Sequence, residues 1–246
     1  LGVAEALPGG AVIVPAYLRQ QEDVAALART LADLPAIVHR CIVVIQSGPA
    51  GLPSLARLPD DERIQRILLP SGVGKWPAFG KGLDHLAGDE SWVAVVDGDG
   101  AFPGRSLRGL VEKMLSGGCA HVIGSRPPQG IDLRVAGTEG SRLRLHLEAF
   151  FNTLVLLSLN RGSDPVFLGA DLQCGLHLFA PKRMEGMGRV AWPFYGGELQ
   201  VFHDSVAAGL RVGFAPIEVA ENPVSTYAIE EIVGGVLRLP CLSSVD

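Results

Sequence analysis

The chain predicts a doubly wound α/β fold built on a mostly parallel sheet. Short apolar runs alternate with stretches of helical spacing. Most of those runs are apolar on successive residues rather than on every second one, the pattern of strands buried on both faces. Composition agrees: of 246 residues, 48% are hydrophobic and 19% charged, which supports a large core and argues against global disorder. The length suits one large α/β domain or two small ones.

The elements follow in order. Residues 11–15 predict a first strand, ended by Pro15. Residues 23–34 space Val24, Leu27, Leu31 and Leu34 along one helical face. Residues 41–45 and 64–69 predict the second and third strands. Residues 76–86 predict a helix with Pro77 in its first turn. Residues 92–96 predict the fourth strand, and Phe102 and Pro103 open a helix running to about Leu115, before Gly117 and Gly118. Residues 121–124 predict the fifth strand. Residues 127–140, rich in Pro and Gly, predict a mobile loop over the site. Residues 141–159 predict a long helix whose core face carries Leu143, Leu147, Phe150, Leu154 and Leu157. A strand over 175–179, a helix over 198–208 ended by Gly209, and a strand over 211–217 broken by Pro216 complete the reading. No linker or internal repeat is visible, so a single domain over 1–246 is expected.

Asp97-Gly98-Asp99 lies directly behind the fourth strand. Ligands of parallel α/β sheets bind beyond the carboxyl ends of the strands. In extended backbone residues i and i+2 point the same way, so Asp97 and Asp99 converge on one cation. Gly98 between them permits close approach of backbone or phosphate. Mg²⁺ or Mn²⁺ is held by one or two carboxylates together with substrate phosphates, so the triplet predicts a metal–diphosphate site. The net charge of −5 argues against a general nucleic-acid binder. Cys41, Cys119, Cys174 and Cys241 form no paired metal or redox motif, and a reducing, cytoplasmic compartment is expected. Residues 1–10 lack the basic start of a signal peptide, and the most membrane-like stretch, 149–159, is shorter than the ~20 apolar residues of a spanning helix. That stretch is compatible with peripheral membrane contact.

Further landmarks arrive in a set order: Val14-Pro15-Ala16-Tyr17, the loop from Gly74-Lys75-Trp76 to Gly82-Leu83, Asp97-Gly98-Asp99, Gly124-Ser125-Arg126, Asp171-Leu172-Gln173-Cys174-Gly175, and Trp192-Pro193-Phe194-Tyr195-Gly196-Gly197-Glu198-Leu199. In this set the chain resembles the GT-A inverting glycosyltransferases of family 2, and within them the dolichyl- and polyprenyl-phosphate sugar synthases. The resemblance covers about residues 11–223. It implies a GT-A, Rossmann-like α/β/α sandwich, with a nucleotide-sugar half over 1–125 and an acceptor half over 126–246. It implies metal-dependent transfer of a hexose from a GDP- or UDP-sugar to an acceptor. Asp97 and Asp99 match the metal-binding pair, and Asp97 also faces the donor. Pro15, Tyr17 and Lys75 match the donor side. Arg126, with Arg142 or Arg144 from the next helix, matches the acceptor-phosphate clamp. Asp171 and Glu198 match carboxylates near the acceptor, either of which is a candidate general base for a hydroxyl acceptor; a phosphate acceptor needs none.

Three positions depart from that pattern. Gln46-Ser47 stands where the family carries paired aspartates, and Gln46 is left as the candidate contact to the base edge. Ala101 replaces a further polar residue of the metal site. Glu148 falls where a serine accompanies the acceptor phosphate, and a carboxylate there repels phosphate. Two other readings stay open: a sugar-phosphate nucleotidyltransferase, although no glycine-rich loop follows the first strand, and a non-catalytic relative that binds nucleotide sugar.

Overall fold

The computed structural model describes residues 7–48, 50–70, 72–126, 139–167, 170–181, 195–219 and 229–243. Seven strands form one sheet in the order β3-β2-β1-β4-β6-β5-β7. They are β1 (Gly10–Leu18), β2 (Val38–Ser47), β3 (Ile64–Leu69), β4 (Val93–Val95), β5 (His121–Ser125), β6 (His177–Phe179) and β7 (Val212–Pro216). All pairings are parallel except those of β6, which lies antiparallel between β4 and β5. A strand from the second half of the chain thus sits between two strands of the first.

The helices are α1 (Gln21–Ala32), α2 (Lys75–Leu83), α3 (Ser106–Gly117), α4 (Glu139–Ser158), α5 (Gly197–Ala207), α6 (Ile229–Val236) and α7 (Pro240–Ser243). Side-chain alternation divides the core between the faces of the sheet. Val12, Val14 and Ala16 of β1 join Cys41, Val43 and Ile45 of β2 on one face, against Val24, Leu27 and Leu31 of α1 and Leu107, Leu110 and Val111 of α3. Ile13, Ile42, Val44, Val93 and Val95 face the other way, against Trp76, Ala78 and Phe79 of α2. This is the α/β/α sandwich expected of the GT-A fold. Among the described residues, no helix is long and apolar enough to cross a membrane.

The structure corrects several boundaries. β1 does not stop at Pro15 but runs to Leu18, with Pro15 paired to Val44. Ala11 donates its N–H to Trp92 of the β4 side, and Pro15 has the same parity. Pairing with β4 ends at Ile13, so the N–H that proline lacks would have met no ladder partner. Helix α3 begins at Ser106 rather than Phe102. The preceding turn is docked on α1: Asp33 accepts the Gly104 N–H at 2.5 Å, and a Cβ on Gly104 would lie 1.8 Å from the Asp33 carbonyl oxygen. The predicted core face of α4 is also revised. Phe150 and Leu157 are more than half exposed, whereas Glu148, Phe151, Val155 and Leu156 are buried. The helix turns this face inward because it carries both core residues and partners of a polar cluster beside β5. The β6 reversal and helices α6 and α7 were not anticipated. The predicted loop over 127–140 falls, for 127–138, outside the described residues.

Candidate active site

Two polar clusters stand at the carboxyl ends of β4 and β5, and the segment 171–175 connects them. The first is centred on Lys75, the first residue of α2. Gly74 before it adopts φ 91°, a left-handed conformation that favours glycine. Gln46, near the end of β2 and 2% exposed, accepts the backbone N–H groups of Val73 (2.7 Å) and Gly74 (3.1 Å) through Oε1. The structure therefore places the Gln46 amide oxygen as the support of the loop that presents Lys75, rather than at a base edge. Tyr17, 46% exposed at the end of β1, lies against the same loop at Gly72. Pro15 sits inside β1, buried among strands.

The ammonium of Lys75 has three N–H donors and meets three oxygen acceptors. Asp97 Oδ1 lies at 2.7 Å, Glu198 Oε1 at 2.9 Å and the Gly175 carbonyl oxygen at 3.0 Å. Burial alone would lower the Lys75 pKa; Asp97 and Glu198 outweigh it and hold the group above the usual lysine range. Asp97 is pushed up to about 6 by burial, which Lys75 opposes and the neighbouring carboxylates Asp99 and Glu198 reinforce. Asp99 is exposed in the turn after β4, and its Oδ1 accepts the Ala101 N–H at 2.9 Å. Two carboxylates thus meet one ammonium, and Asp99 adds a third negative charge beside Asp97, a formal net charge of −2. Such a charge suits a divalent cation whose remaining ligands come from a diphosphate and water. Among the described residues, no group of three or more His, Cys, Asp or Glu could hold a metal by itself.

Gly175 went unremarked as a site residue in the sequence, where it only closed a motif. A Cβ there would lie 1.8 Å from Asp97 Oδ2 and 3.1 Å from Lys75 Nζ. Asp97 and Lys75 can meet only because this residue has no side chain. Gly175→Ala is expected to separate the pair and lower turnover on the order of a hundredfold, as misplacement of reacting groups by about 1 Å does. Kinetics alongside a melting curve checks this; an alanine variant with wild-type turnover would exclude it.

The second cluster is centred on Arg126, at the end of β5. Its guanidinium grips Asp171 as a fork, Nε to Oδ2 at 2.5 Å and Nη2 to Oδ1 at 2.8 Å. Glu148 Oε2 lies 3.5 Å from Nη2, and the Tyr195 hydroxyl donates to Glu148 Oε1 at 3.4 Å. Gln173 donates to the Glu148 carbonyl and to Asn152 Oδ1, at 2.9 and 2.8 Å. The residue read in sequence as a misfit beside phosphate, Glu148, is a partner of Arg126 instead. Its Coulombic need for a cation was the signal available. Arg142 and Arg144 lie on α4 with side chains outside the described residues. The two candidate bases are therefore in different surroundings: Glu198 in the Lys75 cluster, Asp171 in the Arg126 cluster.

Residues 11–158 match the family described as Glycosyl transferase family 2. No curated protein matches. Among solved structures, the chain is similar to glucosyl-3-phosphoglycerate synthase from Mycobacterium tuberculosis in complex with Mn²⁺ and uridine-diphosphate-glucose. The TM-score is 0.62 at 14% identity, over 93% of this chain and 75% of that one. The same enzyme in complex with phosphoglyceric acid gives 0.58 at 15%, over 94% and 79%. A structure described as a mycobacterial protein gives 0.59 at 18%, over 94% and 74%. These likenesses establish the fold, and the sequence match extends over more than half of the chain. The chain belongs to glycosyl transferase family 2.

Proposed function

We propose that this single-domain glycosyltransferase moves a hexose from a UDP-sugar to an acceptor hydroxyl with inversion, using a divalent cation. The observation that carries the reading is the net negative cluster in which Asp97 and Glu198 meet Lys75 and Asp99 lies beside Asp97. Asp97 and Asp99 would hold the cation, which when bound neutralises charge on the leaving diphosphate. UDP is favoured over GDP because the similar solved structures hold Mn²⁺ with UDP or UDP-glucose.

The acceptor side favours a hydroxyl as the attacking group. Arg126 is already engaged by Asp171 and Glu148, so a phosphate nucleophile would have to displace a carboxylate from its guanidinium. A hydroxyl requires a base. Both oxygens of Asp171 are taken by the Arg126 fork, whereas Glu198 meets Lys75 through Oε1. We therefore assign the proton to Glu198, and to Asp171 the orientation of Arg126.

Melting curves with UDP-, GDP-, CDP- and dTDP-glucose, with and without Mn²⁺, test the donor assignment. A Mn²⁺-dependent rise with UDP-glucose is expected, worth roughly 2.7 kcal/mol at a hundred times the dissociation constant, and lost in Asp99→Asn. A rise with another nucleotide alone would reassign the base. No rise with any would favour a non-catalytic relative.

A further inference from the structure

Beneath the Lys75 cluster runs a buried polar string that the chemistry above does not use. Ser205 of α5, His121 of β5 and His177 of β6 are all 0% exposed. His121 Nδ1 lies 2.9 Å from Ser205 Oγ, His121 Nε2 lies 2.9 Å from His177 Nδ1, and His177 Nε2 lies 2.8 Å from the Cys174 carbonyl oxygen. The His177 ring also meets Trp76, the neighbour of Lys75, edge-on at 5.3 Å between centroids.

The direction of the string follows from its end. A carbonyl oxygen only accepts, so His177 must donate through Nε2. Burial holds both rings neutral: His177 is pushed down to about 3 and His121 well below the usual histidine range. A neutral imidazole carries one proton, so His177 Nδ1 accepts, His121 Nε2 donates, and His121 Nδ1 accepts. The one Ser205 hydroxyl proton is then shared between two acceptors, His121 Nδ1 at 2.9 Å and the Val201 carbonyl at 2.8 Å.

We propose that His177 is a positioning residue for transfer: its Nε2–H, set by His121 and Ser205, orients the Cys174–Gly175 peptide whose next carbonyl receives Lys75. Cys174 C=O is held by His177, and Gly175 C=O takes the Lys75 ammonium at 3.0 Å. The same glycine leaves the room in which Asp97 reaches Lys75. Ser205 and Glu198 share α5, so the string ties the helix bearing the proposed base to the peptide opposite it. The inference rests on the Lys75 cluster being the donor site.

Two measurements test it. Long-range ¹⁵N–¹H correlation spectra of the intact, uniformly labelled protein are expected to show both rings as Nε2–H tautomers. An Nδ1–H tautomer or an imidazolium at His177 overturns the proposal. UDP release from UDP-glucose with Mn²⁺ and water as acceptor gives the second readout. His177→Phe is expected to lower kcat tenfold to a hundredfold, roughly the cost of a misplaced reacting group. His177→Gln, whose amide nitrogen can stand where Nε2 does, is expected to restore most of the rate. Ser205→Ala, a milder change, is expected to lower kcat a few-fold and release the His121 tautomer. Wild-type kcat in His177→Phe, or equal loss in His177→Gln at a similar melting temperature, overturns the proposal. If Asp99→Asn releases UDP as fast as wild type, the donor-site reading fails instead, and the tautomers alone decide the string.

Discussion

Lys75→Met is expected to lower stability by about 3 kcal/mol at pH 7 and to remove measurable transfer. Removing one partner of a buried ion pair leaves the other charge uncompensated, at a cost of about 3–5 kcal/mol. The low end applies because the Lys75, Asp97 and Glu198 side chains are 16%, 29% and 16% exposed. Without the ammonium, Asp97 and Glu198 face each other and Asp97 binds its proton more tightly than its present value of about 6. A carboxyl whose pKa is raised by folding favours the folded state at low pH and destabilises it as pH rises through the folded value. The deficit of Lys75→Met should therefore shrink between pH 7 and pH 5, and Lys75→Met with Glu198→Gln should recover part of it at pH 7. Urea midpoints of the three proteins check this. A deficit independent of pH would show that Lys75 contributes packing rather than charge.

Acid should unfold the protein earlier than its carboxylates alone would require. His121 and His177 are buried and neutral, with folded pKa values far below the ordinary 6.5. Below about pH 6.5 the unfolded chain takes up two protons that the folded protein refuses, so stability falls with pH until the folded values are reached. From pH 7 to pH 5 the two rings together cost roughly 4 kcal/mol, at about 1.36 kcal/mol per pH unit for each. Asp97, with a raised pKa of about 6, works in the opposite direction and returns on the order of 1 kcal/mol over the same window. A net loss of roughly 3 kcal/mol remains. Glu90, held low by backbone N–H groups despite its burial, contributes below this window. Denaturant titrations at pH 7, 6 and 5 measure the sum. The decisive comparison is His177→Gln, which should lose about half of the histidine slope; an unchanged slope would exclude the assignment.

Much of the fold was legible because its signals are local. The apolar runs of β1, β2 and β4 and the spacing of Val24, Leu27 and Leu31 on α1 each report burial from within one segment. Asp97 and Arg126 were identifiable because they follow strand ends, where such sheets bind ligands, whereas Lys75, Asp171 and Glu198 were singled out by motifs that resemble those of the family. α4 was misread because several helical stripes of this chain are apolar, and periodicity cannot tell which one meets a partner.

By itself the sequence determined the α/β class, the alternation of elements and the ordered motifs of the family. Only the tertiary structure decided the partners. Lys75 meets Asp97 and Glu198 across 22 and 123 residues, and Arg126 meets Asp171 and Glu148 across 45 and 22. It also decided that β6 enters the sheet antiparallel, which brings His177 beside His121 and Gly175 beside Asp97. Charge pairing and close packing depend on distance in space, and a linear pattern carries that distance only for residues a few positions apart.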